Sequence, residues 1–187
     1  AAIAAALADA GIAVATARAG LLATPESTLA LACLRRLNDP GDTLATAQIL
    51  SLAEGLEPEA WLEERLLFLA QGGDRKAWAE SGDQAHPMLA WLAALRDQFA
   101  LLAPAEALQK VVIGCGLPQR VMQWQRNPEL AQQRLANLEK LLQLAHQYED
   151  GCQRTGEAAT IAGLILWLQQ LAQQGKDEQA LPAVDAV

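Results

Sequence analysis

Aromatic residues and cysteines are scarce in this 187-residue chain. Aromatic side chains make up only 4% of it, so a hydrophobic core has to be built mainly from aliphatic residues. The three cysteines, Cys33, Cys115 and Cys152, are odd in number and far apart, a pattern that predicts no disulfide framework and is typical of reducing compartments. We therefore expect a cytoplasmic location, with Cys33 and Cys115 as small apolar core residues and Cys152 as a thiol in a loop.

Long apolar runs are also missing. The longest, residues 29–34 and 161–168, fall far short of the roughly 20 apolar residues that a helix needs to cross a bilayer. We see no basic and apolar leader with a cleavage site, so we predict neither a signal peptide nor a membrane partner. The sequence starts within a helical pattern at Ala1 and stops without a natural ending at Val187, so we expect a fragment of a longer protein.

Residues with high helix propensity dominate what is present. The chain contains 39 Ala, 33 Leu and 18 Gln, and 52% of its residues are apolar, which is enough for a core and excludes general disorder. Proline recurs just after a helix-capping residue, as in Thr24-Pro25 and Asn127-Pro128. These features predict a mainly all-α protein of single-domain length. Residues 11–15, with Ile12 and Val14, could form a strand.

The longest predicted helix begins at Pro128. Its apolar spacing includes Leu130 and continues to about Tyr148, and Asp150-Gly151 is predicted to end it. A last helix is predicted from about Glu157 onward. No repeat of 30 to 45 residues is visible, which disfavours a solenoid.

Groups that carry chemistry are few and form no constellation. The two histidines, His86 and His146, have no partner at helical spacing for metal binding, so we interpret them as a loop residue and a solvated helix residue. The sequence lacks GxxxxGKS/T and a GxGxxG between strand and helix, which excludes the usual phosphate-binding loops. The carboxylate pairs Glu63-Glu64 and Glu149-Asp150 fit solvated helix faces. We predict no catalytic residue, no metal and no cofactor in this chain.

Positive charge is concentrated in one part of an acidic chain. The whole chain carries −8, but residues 107–148 hold five Lys or Arg against two Glu, a net of +3, which leaves −11 for the rest. Such a stretch could meet phosphate backbones, and Trp124 lies between two arginines where it could stack on a base. The alternatives are ordinary solvent-facing helix residues and, for Arg134, a structural bond to a loop carbonyl or a carboxylate. The predicted nucleic-acid contacts are Arg120, Trp124, Arg126, Arg134 and Lys140.

Two stretches resemble a known family when they are taken together. The first is residues 11–50, GIAVATARAGLLATPESTLALACLRRLNDPGDTLATAQIL, which is similar to the segment after motif IV of UvrD-like superfamily 1 helicases. The second is residues 134–150, RLANLEKLLQLAHQYED, which is similar to a helix in the 2B insertion of the same helicases. The matching residues are Ile12, Gly20-Leu21-Leu22, Pro25-Glu26, Leu34-Arg35, Asp39-Pro40, Asp42, Arg134, Asn137, Leu138, Leu141 and Tyr148.

The order of these stretches resembles AddA- and RecB-type members of the family. There the first stretch begins subdomain 2A, and a helical 2B domain is inserted before the chain returns to 2A at motif V. The resemblance therefore implies part of subdomain 2A in residues 1–53, a 2B domain in residues 54–180 and a return linker in residues 181–187. It also implies a parent DNA helicase or exonuclease of recombination and repair, with DNA as a partner and a possible partner subunit.

The motor motifs of this family are absent from the chain. ATP hydrolysis requires a phosphate-binding Lys, a Mg²⁺ ligand and charge-neutralising arginines, so ATP and Mg²⁺ are implied only for the parent. A helical insertion could contact duplex DNA or dock a partner without them. The unpaired edge of the predicted strand, residues 12–16, could also join two copies of the chain. The competing hypothesis is a stand-alone all-α interaction domain with no nucleic-acid role.

Overall fold

A computed structural model describes residues 20–53, 62–74, 86–99, 101–124 and 127–180. Within these ranges the chain forms a 3₁₀ turn, eight α-helices and no strand, so the all-α prediction is confirmed. The predicted strand in residues 11–15, its edge at residues 12–16 and the linker at residues 181–187 lie outside the described residues. The turn is Leu21–Ala23, and the helices are α1 (Pro25–Asn38), α2 (Thr43–Ala53), α3 (Leu62–Ala70), α4 (Pro87–Phe99), α5 (Pro104–Gly114), α6 (Leu117–Trp124), α7 (Pro128–Thr155) and α8 (Ile161–Gln173).

Proline and short polar side chains set the helix starts, as the sequence predicts. Pro25, Pro104 and Pro128 occupy first-turn positions, where a missing N–H costs nothing. The Asn127 side chain accepts from the Glu129 N–H, and Asp42 accepts from the Ala45 N–H at 2.8 Å. Local chemistry therefore fixes where most of these helices begin.

Helix α1 is the centre of the packing. It contacts α2, α4, α5, α6, α7 and α8, and Leu29, Cys33 and Leu34 on it have no exposed surface. One hydrophobic core joins residues from 21–53 with residues of α4 to α8. Residues on both sides of the predicted domain boundary after residue 53 therefore share this core, and the boundary itself stays a prediction.

Helix α7 is longer than the sequence predicts. It runs through Asp150 and Gly151 to Thr155 and ends at Gly156, which has the left-handed conformation with φ of 73°. A glycine inside a helix costs only about 1 kcal/mol, and burial of Cys152 on the next position offsets this cost. The prediction that the helix ends at Gly151 was thus wrong. The left-handed glycine that caps α7 is Gly156, five residues later.

Three further predictions need correction. Cys152 is a buried helix residue with 7% exposure, so the prediction of a loop thiol is wrong. Leu130 was predicted to face the core, but half of its surface is exposed, because the buried face of this first turn is the one that carries Ala131. The last helix begins at Ile161, where Thr160 accepts from the Gly163 N–H, and therefore starts four residues after Glu157.

Candidate nucleic-acid interface

Arg120 lies on α6 and is directed to a carbonyl group of the protein itself. Its Nη1 donates to the Ala53 carbonyl oxygen at 2.9 Å, which satisfies a backbone acceptor at the last residue of α2. The side chain is half-buried. In this position the guanidinium connects the end of α2 to α6.

Trp124 and Arg134 form a pair. The Trp124 ring is half-buried against the core, and the guanidinium carbon of Arg134 lies 5.9 Å from the ring centroid. This distance is within the range of a cation–π contact. Arg134 therefore already occupies part of the Trp124 ring surface, and this part is not open for stacking on a base.

Arg134 also lies beside a buried carboxylate. Its Nε is 3.7 Å from Oε2 of Glu26, whose side chain is 1% exposed, while Arg134 itself is 22% exposed. Of the two roles predicted for Arg134, the structure shows the contact with a carboxylate. The positive charge of Arg134 thus compensates the buried negative charge of Glu26, so Arg134 is less available to bind a phosphate.

Glu26 is held by a second partner from the same helix. Asn137, also 1% exposed, donates from Nδ2 to Glu26 Oε1 at 2.7 Å. A small cavity of about 180 Å³ lies beside this pair and is lined in part by Thr24, Arg134 and Gln179. The arrangement is a buried polar cluster between the start of α1 and the first half of α7.

Lys140 differs from these two arginines. Its side chain is half-buried, and no hydrogen bond or ion pair is found for it within the part of the chain that the structure describes. It is the predicted cation whose charge remains available at the surface of α7. Arg126, the fifth predicted contact, lies outside the described residues.

A segment without regular secondary structure, residues 176–180, passes beside the polar cluster. Leu21 N and Leu22 N donate to the Asp177 carbonyl oxygen and to Asp177 Oδ2, at 2.5 and 3.0 Å respectively. Further along, Ala180 N donates to Asn137 Oδ1 at 3.0 Å, and the Gln133 amide donates to the Ala180 carbonyl. Side-chain amides on α7 thus replace the backbone partners that a neighbouring strand would provide.

Residues that match the helicase pattern also have local structural roles. Arg35 pairs with Asp42 at 2.7 Å, and Arg36, 1% exposed, donates to the Pro40 carbonyl, so the turn between α1 and α2 is fixed by its own side chains. Glu149 was predicted to be solvated, but its Oε1 accepts from Ala105 N at 2.8 Å, at the start of α5. The sequence contained no signal for this cap, because 44 positions separate the two residues.

The histidines lie as predicted. His86 precedes α4, where its Nδ1 accepts from the Met88 N–H at 3.2 Å. His146 is 68% exposed, with Nδ1 3.6 Å from a Glu149 oxygen. Within the described residues, the one charged neighbour of His146 is therefore Glu149 on the same helix.

Comparisons with family models, with curated proteins and with solved structures find no match to this chain. None of the described helices combines the length and the apolar character that crossing a membrane requires.

Proposed function

We propose that this chain is the start of subdomain 2A and the helical 2B insertion of a UvrD-like DNA helicase or helicase–nuclease. In this role it contacts duplex DNA within the parent protein and takes no part in the ATP chemistry. The chain has no GxxxxGKS/T sequence, so the proposal assigns ATP and Mg²⁺ to other parts of the parent.

The observation that carries this proposal is the bond between Glu26 and Asn137. Glu26 belongs to the first stretch that resembles the family, and Asn137 and Arg134 belong to the second. The two stretches that carry the resemblance therefore meet in one buried cluster. Their contact across 111 positions supports the idea that both stretches were retained for one common architecture.

A second observation concerns the end of the proposed insertion. Asp177 lies beside Gly20, since the N–H of the residue after Gly20 donates to the Asp177 carbonyl. On the proposed boundaries Gly20 belongs to the 2A part and Asp177 to the last residues of the 2B insertion. The contact therefore supports a chain that returns to subdomain 2A after the insertion.

Duplex binding measured against salt concentration tests the DNA part of the proposal. Because the chain carries −8, we expect weak binding that is seen only at low salt and falls as salt rises. Arg120 and Arg134 are unsuitable probes, since they bond within the protein. Lys140→Glu and Arg126→Glu are the informative variants, and each should weaken binding.

Arg154→Glu is the matched control. It changes the net charge by the same amount and lies on the same helix, about 21 Å from Lys140 at the helical rise of about 1.5 Å per residue. We expect this variant to bind as the unmodified chain does. Absence of binding at low salt, or equal losses in all three variants, would reject the DNA role and favour the interaction-domain alternative.

A further inference from the structure

One acceptor atom in the polar cluster at the start of α1 has no hydrogen bond. Glu26 is 1% exposed, and Asn137 donates to its Oε1 at 2.7 Å, which leaves Oε2 without a donor among the described residues. An unsatisfied charged acceptor in a protein interior is costly, and a site for a bound group is one of the few reasons for which native structures retain it. Glu26 Oε2 therefore points to a donor that a ligand could supply.

Arg134 compensates the charge of this carboxylate without satisfying its hydrogen bonding. The 3.7 Å between Arg134 Nε and Glu26 Oε2 is within the range of an ion pair but too long for a hydrogen bond. The guanidinium also lies over the Trp124 ring, and the side chain is 22% exposed, so it has room to move outward. An acceptor and the donors of a guanidinium thus face each other with hydrogen-bonding capacity left over.

The cavity of about 180 Å³ adjoins this ion pair. Glu26 and Arg134 both line it, together with Pro25, Leu130 and Gln133. Its volume is smaller than the roughly 300 Å³ at which pockets for drug-sized ligands begin, so it suits a molecule of only a few non-hydrogen atoms. Leu130 is 51% exposed, so the apolar part of the wall reaches the protein surface. The cavity therefore combines one ion pair with a small apolar wall.

The charges of this wall select the chemistry of the ligand. Glu26 and Arg134 together carry no net charge, so a ligand with a single charge would leave one of them without compensation. A zwitterion avoids this cost, because its ammonium group can donate to Glu26 Oε2 while its carboxylate accepts from the guanidinium, which binds carboxylates through two parallel hydrogen bonds. An α-amino acid carries both groups on one carbon atom and is small enough for the cavity.

We propose that the cavity beside Glu26 and Arg134 binds a small apolar α-amino acid as its zwitterion. The ligand enters between the two charged side chains: Arg134 turns outward to the ligand carboxylate, and the ligand ammonium takes its place beside Glu26 Oε2. Glu26 itself stays where Asn137 holds it. The ligand side chain packs against Pro25 and Leu130. The proposal does not rest on the helicase role, because none of these contacts involves DNA.

Titration of the ¹⁵N-labelled chain with L-alanine, followed by NMR, tests the site and its selectivity. Propionate and ethylamine are the matched controls, since propionate is alanine without its ammonium group and ethylamine is alanine without its carboxylate. We expect L-alanine to bind roughly ten times more tightly than either control, because only the zwitterion satisfies both charged side chains. No binding of L-alanine, or equal affinity for one of the two controls, would overturn the proposal.

Leu130→Trp locates the site without a change in the polar cluster. A larger side chain at this half-exposed position should narrow the cavity and raise the dissociation constant of L-alanine by roughly tenfold or more. Leu166→Trp, at a 60% exposed position of α8 outside the cavity wall, should bind as the unmodified chain does. Arg134→Lys keeps the charge but loses the two parallel hydrogen bonds, so it should also weaken binding. Unchanged affinity in Leu130→Trp or in Arg134→Lys, or an equal loss in Leu166→Trp, would overturn the assignment of the cavity.

Discussion

Asn137 and Glu26 are joined by a hydrogen bond of 2.7 Å, although 111 positions separate them in the sequence. The Asn137 amide uses both of its ends, since Nδ2 donates to Glu26 and Oδ1 accepts from the Ala180 N–H. The buried carboxylate thereby fixes the orientation of the amide, and the amide in turn holds segment 176–180. One side chain connects three separate parts of the chain.

Replacing Asn137 by Ala should therefore destabilise the protein strongly. The change leaves the buried Glu26 carboxylate without its hydrogen-bond donor and removes the acceptor of Ala180 N. We expect the free energy of unfolding in urea to fall by about 2–4 kcal/mol. Gln132→Ala, at an exposed position of the same helix, should change it by less than about 0.5 kcal/mol. Similar losses in both variants would contradict the role given to Asn137.

The sequence predicted the helices better than it predicted their polar contacts. Helix starts at Pro25, Pro104 and Pro128 can be predicted because they depend on residues that are neighbours in the sequence. The end of α7 was missed because a Gly such as Gly151 can either stop a helix or lie within it, and only tertiary packing decides between these outcomes.

The contacts of the candidate interface also depend on tertiary packing and could not be predicted from the sequence. Net charge along the sequence predicted a basic stretch, but charge counting does not show where a guanidinium points. Arg120 and Arg134 bind an interior carbonyl and an interior carboxylate, whereas Lys140 does not. The partners of both arginines are more than 60 positions away, so helical periodicity contained no signal for either contact.

Gly20 is predicted to be intolerant of any side chain. A Cβ atom at this position would lie 2.2 Å from Asp177 Oδ2, within the contact that holds segment 176–180 to the 3₁₀ turn. We expect Gly20→Ala to lower the free energy of unfolding by about 1–3 kcal/mol.

Gly151→Ala is the control for this substitution. Gly151 lies within α7, and nothing is found within 4 Å of a Cβ built there. Alanine should stabilise the helix by about 0.5–1 kcal/mol, so the two Gly→Ala changes should have opposite signs in the same urea experiment. Equal signs would show that the contact with Asp177 does not constrain Gly20.

We expect Arg134 to matter more for the stability of the fold than as a charge at the protein surface. Glu26 Oε2 has no hydrogen bond within the described residues, and replacement of Arg134 removes the cation that these residues place beside it. We expect Arg134→Ala to reduce the free energy of unfolding by about 1–3 kcal/mol and to lower Tm. Lys140→Ala removes the same charge from the same helix and should leave Tm almost unchanged. An unchanged Tm for Arg134→Ala would reject its structural role.

Glu149 should behave as a helix cap although it is not adjacent to the helix it caps. Its carboxylate accepts from Ala105 N in the first turn of α5, where a negative charge also interacts favourably with the helix dipole. Glu149→Ala should cost about 1 kcal/mol of unfolding free energy, and Asp150→Ala, at the exposed neighbouring position, should cost much less. Equal effects would mean that the interaction with α5 contributes nothing measurable.

Stability at alkaline pH should depend on Cys33. Burial raises the pKa of its thiol well above the ordinary value, so the folded state holds this proton more tightly than the unfolded state does. The resulting stabilisation is fully present below the unfolded thiol pKa of about 8.5 and is lost progressively as the pH rises above it.

Urea unfolding of the unmodified chain and of Cys33→Ala between pH 7.5 and 9.5 tests this dependence. The difference in slope should approach about 1.4 kcal/mol per pH unit at the upper end, because the unfolded state of the unmodified chain loses one proton that the folded state keeps. Burial also raises the pKa of Tyr148. This group adds a loss of unfolding free energy that is the same in both proteins and that begins nearer the ordinary tyrosine pKa of about 10. Parallel pH profiles for the two proteins would mean that the Cys33 thiol ionises as readily in the folded core as it does in water.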